Sequence, residues 1–250
     1  MGRDKFCEIF MDLGYGVKKI KNYTRTTVPA HFNYQNLIEG MEVTRPYQVV
    51  QSDITYFSLH DTFYYLVFII DVYTREILGY NVENNMRAQS NLKALKMALK
   101  HIPKDNYKSM IHHSDRGSQY GSDLYTKELK KHGIQISMGL IAQDNAFAER
   151  VNGTIKNEYL KRFVIDNFDS LKKKTKSSVK HYNRKRLHLA FKNRYSPNEF
   201  KKSLLNLSIQ ERPKVIIYAE GNYKTKVALS HLGFNPREEP LAHNCPIIIN

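Results

Sequence analysis

Residues 49–82 read VVQSDITYFSLHDTFYYLVFIIDVYTREILGYNV, and their pattern decides the fold. The opening part, VVQSDITYF, alternates and is rich in β-forming residues. FYYLVFIID, from Phe63 to Asp71, is a continuous apolar run, the pattern of a strand buried on both faces. REILGYNV, from Arg75 to Val82, follows the turn DVYTR as a third strand. Three consecutive strands with short turns predict an antiparallel meander. Downstream, Leu92, Leu95, Leu99 and Ile102 recur at helical spacing across Ser90 to His101. Ser109 to His113 reads as a fourth strand, Leu124 to Lys131 as a helix and GIQISM (133–138) as a fifth strand. Asp144 to Arg162 reads as one long helix and Ser170 to about Arg186 as another. Strands alternating with helices after a meander predict an α/β protein with a mixed five-stranded sheet covered on both faces.

Upstream, Phe6, Ile9, Phe10 and Leu13 form the apolar stripe of a short amphipathic helix over Asp4 to Leu13, ended by Gly14 and Gly16. Residues 17–46 are polar, basic and aperiodic, as in an extended linker. The expected organisation is therefore an N-terminal helix and linker (1–46), a core (47–165), a helical extension of it (166–212) and a tail (213–250). The tail offers one strand candidate, KVIIY (214–218), and no assignable role.

The chain has 250 residues, of which 41% are hydrophobic and 12% aromatic, enough to build a core and to exclude global disorder. Cys7 and Cys245, at opposite ends, supply neither a disulfide framework nor a zinc site and fit a reducing compartment. The longest apolar run, Phe63 to Ile70, is too short to span a bilayer, and the start MGRDKFCEIF lacks the order of a signal peptide. These features predict a chain of the cytoplasm with no membrane partner. Lys and Arg number 39 against 24 Asp and Glu, a formal net charge of +15. Such an excess favours polyanions through counterion release. The charge is clustered at Lys18, Lys19, Lys21 and Arg25, at Lys172, Lys173, Lys174 and Lys176, and at Lys180, Arg184, Lys185 and Arg186. Tyr23, His181, Tyr182 and His188 are interleaved with it, a pattern that suits nucleic acid.

Three acidic residues stand out by position. Asp53 lies inside the first strand, where a carboxylate is costly unless paired or bound to a metal. Asp115 sits just past the fourth strand, where α/β sheets place their chemistry. Glu149 lies on the long helix, within DNAFAERVNGTIKNEYL. Converging carboxylates repel one another unless divalent cations neutralise them, and hard oxygen ligands suit Mg²⁺ or Mn²⁺. Two such ions activate a hydroxyl and stabilise the leaving oxygen of an in-line phosphoryl transfer. Taken singly, each residue has a plainer reading: a satisfied strand residue, a turn cap and a solvated helical acid.

SDITYF, HHSDRGSQY and DNAFAERVNGTIKNEYL, followed by HYNRKRLHLAFKNRYSPNEF, resemble the catalytic core of insertion-sequence transposases, in particular the insertion-sequence-three family, whose core is similar to retroviral integrases. The resemblance runs from about Asn36 to Phe200 with the motifs in family order. It implies a ribonuclease-H-like fold and a DDE triad of Asp53, Asp115 and Glu149 holding two Mg²⁺ or Mn²⁺ ions. The implied activity is cleavage at insertion-sequence ends, then strand transfer by direct attack of a 3′-hydroxyl. The implied partners are double-stranded DNA (the element's ends and the target), further copies of the chain on DNA and an upstream-frame helix-turn-helix protein, all at the bacterial nucleoid. Arg116 and Gln119 stand, with Ser114 and Gly117, in the family's loop after the second aspartate, where Gly117 is expected to permit a tight turn. Asn145, Glu149, Asn152 and Lys156 share a helical face, which directs Lys156 and Asn152 toward donor-end DNA; an ordinary exposed lysine is the plainer reading of Lys156. Tyr182, Asn183, Arg186 and His188 match the family's YN-x-x-R-P-H element, with Leu187 in place of the proline; DNA contact and helix packing are both open for them. His112 and His113 read as strand-end packing residues, since they lack zinc-site spacing. The stretch between Asp115 and Glu149 is two residues shorter than usual for the family, and helix-turn-helix elements are not evident upstream. Both features motivate a competing reading, a non-catalytic DNA-binding module derived from a transposase. A third reading, a nuclease acting on RNA–DNA hybrids, keeps the metals and changes the substrate.

Overall fold

The computed structural model describes residues 2–13, 34–60, 62–217 and 248–249. Helix α1 (Arg3–Asp12) is followed by β1 (Glu42–Val43) and by the meander β2 (Val49–Leu59), β3 (Thr62–Asp71) and β4 (Ile77–Glu83). Helix α2 (Ala88–His101), β5 (Ile111–Ser114), α3 (Ser118–Gly121), α4 (Asp123–Lys131) and β6 (Gln135–Met138) come next. Helices α5 (Ala146–Thr154), α6 (Phe168–Lys185) and α7 (Pro197–Ser203) precede β7 (Lys214–Ile216) and β8 (Ile248–Ile249). The main sheet has the order β4-β3-β2-β5-β6. Its first three strands are antiparallel, while β5 pairs parallel to both β2 and β6. This is the ribonuclease-H-like arrangement, as expected.

The apolar run explains why β3 sits inside the sheet. Leu66, Val67, Phe68, Ile69 and Ile70 are each at most 1% exposed, because successive side chains serve opposite faces. Phe68 and Ile70 join Val49, Val82, Phe147, Val151, Leu171 and Val179 in the core under α5 and α6. Val67 and Ile69 join Val50, Ile54, Leu95, Tyr125 and Leu129 under α2 and α4. Each such side chain contributes about 1.5–3 kcal/mol of burial. Helix α2 lies so close to β4 that a Cβ at Gly79 would collide with the Ala94 carbonyl oxygen.

Three expectations are corrected. Asp144 to Arg162 is not one α-helix. A 3₁₀ turn (Ala142–Asn145) leads into α5, and a wider π turn (Ile155–Tyr159) and a 3₁₀ turn (Leu160–Arg162) follow it. The start is broken because the Asp144 carboxylate is taken by the amides of Leu140 and Ile141, at 2.7 and 3.2 Å. Helix α6 starts two residues before Ser170 because Asn167 caps it, its Oδ1 accepting from Ser170 N at 2.9 Å. Gly117 has φ −60°, which any residue adopts, so the turn there does not depend on glycine.

The expected extended segment is described from Tyr34 onward, and it packs against the sheet. Ile38 and Val43 are fully buried, and Leu37 N donates to Ser137 Oγ at 2.9 Å. Its strand β1 pairs with β7, the KVIIY candidate of the tail, and β7 pairs in turn with β8. In α1, Phe6, Ile9, Phe10 and Leu13 are exposed, and Phe6 stacks on Phe10 at 4.3 Å. Gly14, Gly16, Cys245, the first basic cluster and Tyr23 lie outside the described residues, as does the side chain of Cys7.

Candidate active site

The sheet register brings the strand carboxylates together. Ser52 of β2 lies opposite Ser114, the last residue of β5, so Asp53 and Asp115 directly follow the final pair of these two parallel strands. Helix α5 crosses β2 and brings Glu149 in its first turn. What holds α5 there is a polar row on one face of β2, Gln51, Asp53 and Thr55. The buried Gln51 side chain donates to the Asp144 carbonyl at 3.0 Å and accepts from Ala148 N at 3.2 Å. Asn152 Nδ2 donates to Asp53 Oδ2 at 2.8 Å, and Lys156 Nζ donates to Thr55 Oγ1 at 3.2 Å. Asn145 Nδ2 adds a bond to the Ser52 carbonyl at 3.0 Å. The face expected to carry Asn145, Asn152 and Lys156 is thus the face that meets β2.

The electrostatics are those of crowded like charges. Burial, then the charges of Asp115 and Glu149, push Asp53 well above the usual carboxylate range, against the Ile54 amide and Asn152, which favour its charged form. Burial raises Asp115, opposed by a hydrogen bond from Gly117 N at 3.1 Å. Desolvation and then Asp115 raise Glu149, although that residue as a whole is exposed. Three hard oxygen donors that repel one another suit a divalent cation. Among the described residues no group of three or more His, Cys, Asp or Glu stands at metal-binding distances, so these carboxylates would draw in to share an ion.

The other singled-out residues occupy varied settings. Lys156, half-buried, lies 4.9 Å from the Tyr56 ring centroid, and burial lowers its pKa. Arg116 Nε and Gln119 Oε1, in the stretch that follows Asp115, are buried without a hydrogen-bond partner. The YN-x-x-R-x-H element faces the fold. Tyr182 is 2% exposed, Asn183 bonds both the amide and the carbonyl of Ile77 at 2.9 Å, and Arg186 pairs with Glu158 at 2.9 Å. His188 meets the Tyr182 ring edge-on at 4.9 Å, and burial with the charges of Arg186, Arg75 and Arg150 depresses it to about 3. His112 and His113 are core residues bonded to Tyr125 Oη and Ser137 Oγ, both at 2.8 Å. Burial lowers them to about 3 and about 4.

Sequence reading passed over Gln51 and Asp144, which seat α5. The available signal was the row of larger polar residues at every second position, Gln51, Asp53 and Thr55, on one face of the strand. Tyr120 was also missed; its hydroxyl meets Ser52 Oγ at 2.9 Å under the carboxylates.

Residues 43–142 match the family described as Integrase core domain, and residues 132–195 match a second family of the same description. The Insertion element IS600 uncharacterized 31 kDa protein of Shigella sonnei is 33% identical over 209 residues, 80% of this chain and 75% of that one. The Putative transposase for insertion sequence element IS986/IS6110 of Mycobacterium tuberculosis (strain ATCC 25177 / H37Ra) is 38% identical over 121 residues, 46% of this chain and 44% of that one. Transposase InsF for insertion sequence IS3A of Escherichia coli (strain K12) is 34% identical over 127 residues, 50% of this chain and 43% of that one. The match therefore spans less than half the length of the last two relatives. Motif order, sheet topology and these matches agree: the chain belongs to the insertion-sequence-three family of integrase-core transposases.

Proposed function

We propose that this chain catalyses metal-dependent phosphoryl transfer on DNA, cleaving at insertion-sequence ends and joining strands by 3′-hydroxyl attack without a covalent protein–DNA intermediate. What supports this reading is the placement of Asp53 and Asp115 at two neighbouring parallel strands and of Glu149 in the first turn of the helix that a polar seam holds on β2, with burial and like charge both raising Asp53. Asp53, Asp115 and Glu149 are the residues to hold Mg²⁺ or Mn²⁺. Two such ions, when bound, supply an activated nucleophile and stabilise the leaving oxygen. Asn152 holds the Asp53 carboxylate in orientation and favours its charged form. Gln51 and Asn145 keep α5, and with it Glu149, registered on β2. Lys156, four residues beyond Asn152 and bonded to Thr55 on the same seam, stands ready for a phosphate. The basic surplus favours duplex DNA as substrate. Relatives named as transposases support insertion-sequence ends as that DNA.

Action as a multimer on paired ends, with an upstream helix-turn-helix partner, is part of the same proposal. Among the described residues no helix is long and apolar enough to cross a membrane. The intact triad weighs against the non-catalytic reading. Nicking of supercoiled plasmid in Mn²⁺ by wild type and by Glu149→Gln tests the proposal. Nicking by wild type alone is expected; equal nicking by both, or by neither, overturns it for this chain.

A further inference from the structure

Helix α6 has two faces of different character. Leu171, Thr175, Ser178, Val179 and Tyr182 are buried. Lys172, Lys176 and Lys180 are exposed on the other side, about 6 Å apart along the axis for each four-residue step. Lys173, Arg184 and Lys185 extend this exposed face, and Asp169 in the first turn is the helix's only acid. Like charges four residues apart on a helix are destabilising, so the row carries a standing cost that a polyanion would relieve. Lys172 lies 3.9 Å from the centroid of the Phe168 ring, which itself stacks on Tyr64 at 4.9 Å. The acid it influences, Glu83, is already engaged by Lys93 at 2.6 Å.

The position of the row points to an occupant. β4 is one of the two edge strands of the main sheet. Lys172 and Lys176, with Tyr80, Asn81, Val82 and Met97, line a cleft along it. Tyr80 is in register with Phe68, and Phe68 with Asp53. Two strand spacings, about 10 Å, therefore separate the backbone of Tyr80, in the cleft wall, from that of Asp53. The major groove of B-DNA is about 12 Å wide. A duplex with one strand at the carboxylates thus offers its other strand to α6.

Resting on the DNA-transferase reading above, we infer that the row Lys172, Lys176 and Lys180 contacts backbone phosphates of the strand across the groove from the reacting phosphodiester. The contact is electrostatic and separate from the carboxylate site.

Binding of the full chain to a fluorescent duplex and to one of its single strands, in EDTA across a salt series, tests this. The comparison is between wild type and the triple variant Lys172→Gln, Lys176→Gln, Lys180→Gln. On the duplex, the slope of log affinity against log salt is expected to become shallower by about 2.7, at about 0.9 per phosphate contact. On the single strand, which has no strand across a groove, the slope is expected to stay unchanged. The triple arginine variant is expected to keep the wild-type slope, which separates lost charge from a disturbed helix. An unchanged duplex slope, an equal loss on single strands, or a loss in the arginine variant overturns the inference. Because metal is absent, the outcome is independent of whether Glu149→Gln abolishes nicking, so failure here and failure of the catalytic reading are distinguishable.

Discussion

Asp53 and Asp71 lie on adjacent long strands, and burial raises the pKa of both, yet their surroundings differ in kind. Asp71 is closed in by donors: Tyr47 N at 2.9 Å, Thr74 N at 3.1 Å and Thr74 Oγ1 at 2.6 Å. Its one like-charged influence, Glu76, ranks last among the causes of its shift. At Asp53 the Asn152 side chain and the Ile54 amide favour the charged form, while the charges of Asp115 and Glu149 oppose it. Asp71 is saturated by hydrogen bonds, whereas Asp53 is left in costly company that a bound cation would relieve.

The widest separation is expected in activity. Asp53→Asn, Asp115→Asn and Glu149→Gln should each lower plasmid nicking at least about a thousandfold, about 4 kcal/mol of barrier. Asp71→Asn should leave the rate per folded molecule within about threefold. The two strand-side triad variants should melt no lower than wild type, since each removes a repelling charge. A triad variant that nicks normally, or an Asp71→Asn chain that is folded but inert, breaks the comparison.

Stability should show the reverse order. Asp71→Ala strands two backbone amides and a hydroxyl inside the protein, each worth about 1–3 kcal/mol when left unpaired. Urea unfolding should report a loss of about 3 kcal/mol. A loss below about 1 kcal/mol would mean that the turn after β3 finds other acceptors and that Asp71 is not its keystone.

The pH dependence sharpens the contrast further. Asp53 binds its proton more tightly in the folded chain than at its ordinary value of 3.8. In the window from that value up to the raised one, the folded state holds more protons than the unfolded state, so stability falls as pH rises. Denaturation across mildly acid to neutral pH should therefore be shallower for Asp53→Asn than for wild type. Divalent cations, which bind the charged form, should flatten the wild-type curve and leave the variant's nearly unmoved. Equal slopes in the two proteins would show that Asp53 is not in repulsive company.

The same contrast explains what was readable in the sequence. The meander was legible because alternation and the run from Phe63 to Ile70 are local patterns, and Asp53 stood out against them. The positions of Asp115, just past a strand, and of Glu149, on a helix, were legible as well. The breaks around α5 were not, because a periodic pattern does not show where a side chain bonds: Asp144 turns back to the Leu140 and Ile141 amides, and Tyr159, in the π turn, meets the distant His181 Nδ1 at 3.0 Å. The pairing of β1 with β7 joins residues far apart in the chain, and neither short strand announces its partner. Asp71 read simply as the last residue of an apolar strand, since its donors come from the turn after it and from Tyr47. The YN-x-x-R-x-H element left two readings open because a motif carries no direction; Tyr182 and Asn183 point inward.

The smallest effect concerns two lysines that repeat the comparison with opposite charge. Lys201 stands near the Asp71 end, where burial, which would lower its pKa, is outweighed by hydrogen bonds to Glu76, at 2.8 Å, and to Tyr47. Lys156 stands near Asp53, where burial lowers its pKa and its bond goes to the neutral Thr55 hydroxyl. The first lysine is closed by a carboxylate; the second keeps its charge available for a phosphate. Lys156→Gln should change unfolding free energy by no more than about 0.5 kcal/mol and make the salt slope of DNA binding shallower by about 0.9, one phosphate contact. Lys201→Gln should leave that slope alone and cost about 1 kcal/mol or more, because Glu76 and Tyr47 lose their donor. If Lys156→Gln instead destabilises the fold with an unchanged slope, Lys156 belongs with Lys201 as a packing residue, and the division between a saturated end and an unsatisfied end of the sheet stops at the carboxylates.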